Sequence, residues 1–226
     1  MTFTESKVAG LCVLTRELVR SSDPPAQEVV RADLSAACAS FIDTAFLDQN
    51  GAGTPDVAPP SITFAATTIV STGINAAAFS TDFQALVAAI STNLTQPALI
   101  MKPRGAMNIE LTRDVGATGG SIAKISVITS ENVPKDAAGH DIIVLIDGAE
   151  VLLADGPVEL SASEQALVEM AAPATHPVSA STVLRSTWQQ DLLGVKCLKF
   201  LNWQRRRENC VAVLAGIDLP VAAPAA

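Results

Sequence analysis

An α+β fold is predicted by three features of the sequence. From Ala26 to about Asp48 there is no Pro or Gly, and apolar residues recur at helical spacing. Several stretches rich in β-branched residues, among them Ile122 to Thr129, Asp141 to Ile146 and Cys210 to Ile217, are short and bounded by turn residues. No internal repeat is visible along the chain.

Composition narrows the function classes. The chain has 226 residues, 49% hydrophobic and 17% charged, enough for one large domain or two small ones with a substantial core. Its formal net charge is −8, which disfavours duplex nucleic-acid binding by the surface as a whole. Aromatic residues make up 4% and Tyr is absent. Such a chain suits close backbone packing and broad subunit contacts more than an aromatic-lined pocket. Cys12, Cys38, Cys197 and Cys210 form no C-x-x-C pair and sit among apolar residues, so buried reduced thiols of a cytosolic protein are expected. Thr4, Glu5, Ser6 and Lys7 interrupt any apolar start, so no signal peptide is expected, and no apolar run is long enough to span a membrane.

Taken in order, Lys7 to Leu14 reads as a strand with apolar residues on both faces. A short turn or helical cap follows at "TREL", where Thr15 can accept a backbone hydrogen bond. Asp23 before Pro24-Pro25 then marks a helix start. The helix to about Asp48 would be about 33 Å long. Its stripe is Val30, Leu34, Ala37, Phe41 and Ala45, widened by Cys38, Ile42 and Phe46. Asn50-Gly51 supplies a left-handed stop. The Gly-rich loop follows a helix, whereas phosphate-cradling loops precede one, so it is read as a terminator.

Ile62 to Thr72 should be extended. Ser80-Thr81-Asp82 starts a helix with Phe83, Leu86, Val87 and Ile90 on one face, ended by Pro97. "ALIM" is a buried strand and "RGAMNIEL" a second short helix, closed by Asp114 to Gly120. Three strands follow, at Ile122 to Thr129, Asp141 to Ile146 and Val151 to Leu153, with Asp147-Gly148 as a hairpin turn. Glu159 to Met170 fits a helix or an irregular strand. "AAPATHPVSAST" reads as a linker. Thr182 to Trp203 and Cys210 to Ile217 are extended, joined by a charged turn from Gln204 to Asn209.

Pattern searching finds no active site, metal site or cofactor site. His140 and His176 lie apart in loops, without a ligand set at metal spacing. Ser121 in "GGSIA" resembles a nucleophile elbow with Ala in the last place, but its flanks read as loop and strand. Lys124 lies near the same glycines without completing a phosphate loop. Asp33, Asp43 and Asp48 are spread along the long helix without pairing. Arg205, Arg206 and Arg207 form the only basic cluster, read either as a contact for nucleic acid or an acidic neighbour, or as a solvated turn.

The order of segments resembles the tailed-phage major capsid proteins of the Hong Kong 97 type. A strand leads through "TREL" into a long helix carrying Asp43 and ending in "FLDQNGAGTPDVAP". "PALIMKPRGAMNIEL", "GGSIAKISVITSENVP" and "STWQQDLLGVKCLKFLNWQRRRENCVAVLAGID" follow in the family's order, over nearly the whole chain.

The resemblance implies a structural, non-enzymatic subunit with no cofactor. It implies residues 1–60 as the first part of a peripheral domain with a spine helix at about 24–48. Residues 61–180 would be an axial domain, 181–208 a returning peripheral ribbon, and 209–226 a final axial strand and tail. Implied partners are copies of itself in pentamers and hexamers of an icosahedral shell, scaffold, protease and portal proteins, and packaged DNA without sequence specificity. No membrane partner is implied. The implied location is the virion capsid, and the bacterial host cytoplasm during assembly. The family's N-terminal arm and most of its extended loop have no counterpart before Lys7, so the chain is expected to fold but to close shells poorly. Two other readings stay open: an encapsulin-type nanocompartment shell, and a small α+β hydrolase using Ser121.

Overall fold

A computed structural model describes residues 6–21, 26–55, 57–73, 76–110, 115–116, 118–171 and 179–217. The chain opens with β1 (Ser6–Thr15), α1 (Arg16–Ser21) and α2 (Ala26–Leu47). It continues through β2 (Thr67–Val70), α3 (Ala76–Ala89), β3 (Pro97–Met101) and α4 (Pro103–Glu110). Then come β4 (Val115–Gly116), β5 (Gly119–Ile122), β6 (Ile125–Thr129), β7 (Asp141–Asp147) and β8 (Val151–Ser163). The last elements are β9 (Leu167–Glu169), β10 (Leu184–Ser186), β11 (Leu192–Arg205) and β12 (Val211–Ile217).

The residues divide into two compact units. Unit 1 comprises 1–6, 40–154 and 201–226; unit 2 comprises 7–39 and 155–200.

Unit 1 is organised by a seven-stranded sheet of order β2-β12-β7-β3-β6-β5-β4. β7 is its spine. Ile142 to Asp147 are all buried, because this strand pairs on both edges and is covered on both faces. Ile143 and Leu145 join Leu99, Met101, Ala212 and Leu214 in one core with Leu86 of α3, Ile90 just after it and Ile109 of α4. Phe83 and Val87 pack against the same core, so the expected face of α3 is present.

Unit 2 carries the greater part of a three-stranded sheet of order β1-β11-β8 and the small β9–β10 pair. Its buried cluster is thin. Leu14, Leu193 and Val195 form it, with Cys12, Val19, Val30 and Leu34 partly buried against them.

Several expectations need correction. Ala37 and Phe41 are exposed, Phe41 by 61%, because the inward face of α2 runs through Val30, Leu34 and Cys38 at intervals of four. The predicted cap at Asp23-Pro24-Pro25 lies outside the described residues. Gly53, not Gly51, is the left-handed residue after α2, with φ +71°. Residues 62–65 are turns rather than strand, leaving only β2 extended. α3 is helical from Ala76, so Asp82 lies inside it, and it ends at Ala89 rather than at Pro97, which opens β3.

Ile122 to Thr129 is not one strand. Ala123 and Lys124, with φ +50° and +67°, turn β5 back on β6 although neither is Gly or Asn. Asp147-Gly148 does not make a hairpin, since β7 and β8 belong to different sheets. Glu159 to Met170 is strand and turn. Thr182 to Trp203 is broken by a turn at residues 187–191, where Asp191 has φ +51°.

Candidate assembly surfaces

The Gly-Pro loop after α2 is a cap built from chain. A helix leaves its last carbonyls without intrahelical partners. Here Ser61 Oγ donates to Phe46 O at 2.7 Å, Ile62 N to the same oxygen at 3.0 Å, and Thr63 Oγ1 to Leu47 O at 2.9 Å. Ser61 N also donates to Gly51 O at 2.8 Å, closing the loop on itself. Gly53 makes this reversal sterically feasible: a Cβ there would lie 2.5 Å from Pro60 N and 2.8 Å from Ala58 O. Trp203 locks the return. Its Nε1 donates to Pro60 O at 2.8 Å, and its ring meets Phe46 edge to face with centroids 5.3 Å apart. A cavity of about 260 Å³ beside the loop is lined by Gly53, Thr54, Pro59, Pro60 and Trp203 among others.

A second clasp holds the same helix end. Asn132 accepts from Ser40 Oγ at 2.6 Å and donates through Nδ2 to Asp43 at 3.0 Å. Ser130 Oγ also donates to Asp43 at 3.3 Å. Asp43 is thus a structural acceptor, not half of a catalytic pair.

Three further carboxylates tie down the loops of unit 1. Burial alone would raise the Asp82 carboxyl. Hydrogen bonds from the Thr72 hydroxyl (2.7 Å), the Thr72 amide (2.9 Å) and the Ser71 hydroxyl (3.0 Å) outweigh that and hold it below the usual carboxylate range. Asp147 is desolvated too, yet the Gln96 amide (3.0 Å), the Thr92 hydroxyl (3.0 Å) and the Thr95 and Ala149 amides lower it. Asp136 follows the same logic through the amides of His140, Gly216 and Ala138.

The sequence-predicted candidates scatter. His140 does have an acidic neighbour, with Nδ1 3.4 Å from Asp136, but among the described residues no three His, Cys, Asp or Glu side chains group as a metal site. His176 lies outside the described residues. Ser121 is exposed mid-strand opposite Ser126, and a tight turn and a second strand follow it; the strand–turn–helix of a nucleophile elbow is not there. Lys124 occupies that turn. Asp33 is exposed on α2, and Asp48 accepts from the Asn50 amide at 3.0 Å.

The arginine cluster divides. Arg205 donates to Phe64 O at 2.8 Å and to Glu208 O at 3.3 Å, and Arg207 pairs with the buried Glu150 at 2.7 Å. Arg206 is exposed and engages Glu150 O through its backbone amide. Two of the three guanidiniums therefore brace unit 1 itself.

Unit 2 presents what sequence reading did not single out. Trp188 is 70% exposed, Leu167 69%, Val183 68%, Met170 52% and Leu184 46%. They lie on the β9–β10 pair and the adjoining turns. That end is held by Arg16, which bridges Glu164 at 2.9 Å and Asp191 at 3.3 Å, and by buried Thr187, whose Oγ1 donates to Glu164 O at 2.8 Å. A soluble monomer rarely shows so many large apolar side chains in one region without a partner. The short apolar runs here look like ordinary core strands in sequence, so only the fold reveals their exposure. Among the described residues, no helix is long and apolar enough to cross a membrane.

No protein-family model matches the chain. It is 34% identical over 225 residues to the capsid polyprotein of Pseudomonas phage PAJU2, a match covering 94% of this chain. The chain spans 34% of that polyprotein's length. Its fold superposes on a chain from Mycobacterium phage Adephagia with a TM-score of 0.68 at 12% identity, covering 93% of this chain and 71% of the other. For Gordonia phage Cozz the values are 0.66, 16%, 93% and 70%. A chain from the capsid of an empty GTA particle gives 0.59, 14%, 94% and 72%. The chain is a homologue of a phage capsid polyprotein and carries the Hong Kong 97-type fold of tailed-phage major capsid proteins.

Proposed function

We propose that this chain is the shell-forming part of a phage major capsid protein, assembling with copies of itself in pentamers and hexamers of an icosahedral head around DNA. The identity with a capsid polyprotein along 94% of the chain carries this reading. That relative favours a DNA-enclosing head over a cargo-holding nanocompartment. The role is mechanical: Ser121 lacks the setting of a hydrolase nucleophile, and the clasped helix end and bracing arginines all serve shape. Unit 1, with its seven-stranded sheet, takes the axial role around the five- and six-fold axes. Unit 2 takes the peripheral role and offers Trp188, Leu167 and Val183 to neighbouring copies. Many modest interfaces acting together suffice for a closed shell. Scaffold, protease and portal proteins are the further partners of such a subunit, in the host cytoplasm during assembly.

Light scattering after size-exclusion chromatography, across a concentration series and with electron microscopy of any large peak, tests this. Rings, sheets or other irregular assemblies are expected. A monomer at every concentration would overturn the proposal.

A further inference from the structure

Two periodicities in unit 2 converge on a pair of thiols. Along α2, Val30, Leu34 and Cys38 follow one another at intervals of four, on one face. Along β11, Leu193, Val195 and Cys197 alternate on one face and are all buried. Leu193 and Val195 share a cluster with Val30 and Leu34. Cys38 and Cys197 are each the next step outward from that cluster, so both arrive at the same interface. The Cys197 thiol is a neighbour of the Cys38 thiol there.

Gly10 on β1 permits the close seating of the helix. A Cβ at Gly10 would stand 2.9 Å from Leu34 Cδ1 and 3.2 Å from Cys38 Sγ. Cys38 is 6% exposed and Cys197 is fully buried. Both exist as free thiols in this structure.

We propose that Cys38 and Cys197 form a site of oxidative modification, an intrachain disulfide that pins α2 to β11. The oxidant is a low-molecular-weight disulfide such as oxidised glutathione. One protein thiolate attacks it, forming a mixed disulfide and releasing one small thiol. The second protein thiolate then attacks the mixed disulfide and releases the other small thiol. Two electrons leave the protein cysteines and reduce one small disulfide to two thiols.

Burial, and next the neighbouring Cys197 thiol, push Cys38 up to about 11, so thiolate is scarce and the native state reacts slowly. Local opening of α2 gates the reaction. Once closed, the same burial shields the bond from reductants. A long enclosed loop makes such a cross-link strongly stabilising. The chemistry does not depend on the shell reading. Only its timing rests on that reading: the thiols stay reduced in a cytosol and close after release into an oxidising medium.

The test is oxidised glutathione added to the full chain, with and without sub-denaturing urea, followed by alkylation and non-reducing peptide mapping. The expected product is a monomer lighter by about 2 Da, with Cys38 and Cys197 peptides linked and an unfolding midpoint raised by roughly 5–10 °C. It forms several-fold faster in urea, persists in Cys12→Ser, and is lost in Cys38→Ser and Cys197→Ser. Stable glutathione adducts without a cross-link, linkage through Cys12 or Cys210, or no reaction even in urea would each overturn the proposal. The unsubstituted chain alone decides between these, so the result stands even if a serine variant folds badly. Assembly plays no part in the measurement, so its failure and the failure of the shell reading are distinguishable.

Discussion

The chain's two tryptophans stand in opposite environments, one in each unit. Trp203 of unit 1 is 4% exposed, bonded to Pro60 and set edge-on against Phe46. Trp188 of unit 2 is 70% exposed on a turn. The contrast extends to the units around them. Unit 1 buries a strand along almost its full length and satisfies the carboxylates of Asp82, Asp136 and Asp147 with amides and hydroxyls. Unit 2 is centred on a small cluster of Leu14, Leu193 and Val195 and leaves many of its large apolar side chains outward. A unit that satisfies itself sets the shape of a subunit. One that leaves apolar surface open is suited to completion by a neighbour.

Removing each tryptophan is the strongest way to break this comparison. Trp203→Ala should cost about 3–5 kcal/mol, the range for deleting a large buried aromatic, read as a lower urea midpoint. Trp188→Ala should stay within about 0.5 kcal/mol of the parent, as exposed substitutions usually do, while weakening assembly in light scattering. Equal losses of stability at the two sites would end the distinction.

Glycines sharpen it within unit 1. Gly53 and Gly139 both have positive φ, +71° and +88°. A Cβ at Gly139 would meet nothing within 4 Å, whereas one at Gly53 would collide with the Pro60 backbone. Gly139→Ala should therefore cost about 1–2 kcal/mol, the left-handed penalty alone. Gly53→Ala adds a backbone clash and should exceed about 3 kcal/mol, or prevent soluble expression.

Acid should separate the units as well. The folded-state pKa values of Asp82, Asp136 and Asp147 are lowered, and all three residues lie in unit 1. A lowered carboxylate contributes stability that is fully present above its unfolded value, about 3.9, and is lost as pH falls through its folded value. Hydrogen exchange followed below about pH 4 should show loops at residues 71–73, 92–96 and 136–140 of unit 1 losing protection first. Asp147→Asn should lower stability at neutral pH and flatten the acid dependence. A pH-independent exchange pattern in those loops would contradict the assignment of these caps.

Much of this architecture was legible because periodicity reports burial. The strands at Lys7, at "ALIM" and at Cys210, and the apolar face of α3, follow directly from spacing. The long helix was legible in extent but not in orientation. Phe41 is more apolar than Cys38, yet Cys38 faces inward, since the helix phase is set by what Gly10 and Leu34 allow. The hairpin at Ala123-Lys124 carries no turn residue, and tertiary pairing of β5 with β6 overrides local preference. Most partners of Asp147 lie 51–55 residues away and those of Asp82 10–11 residues away, too far apart for a local pattern to mark them. The exposed end around Trp188 was illegible for the same reason: an apolar run does not tell whether its cover belongs to the same chain or to another copy.

The smallest effect tests how locally unit 2 is held. Thr15 closes β1, and its Oγ1 accepts from Leu18 N at 3.3 Å, the first turn of α1. The bond is long and exposed, so Thr15→Ala should cost only about 0.5–1 kcal/mol. Where that cost appears is informative. α1 has six residues, too short to hold helical structure without tertiary support, and Val19 is its contact with the thin core. Loss of the cap should therefore appear as faster amide exchange at Leu18 and Val19, with exchange in β7 of unit 1 unchanged. Exchange that rose equally in β7 would mean that the units unfold as one body, and the small core of unit 2 would then draw its stability from the larger sheet.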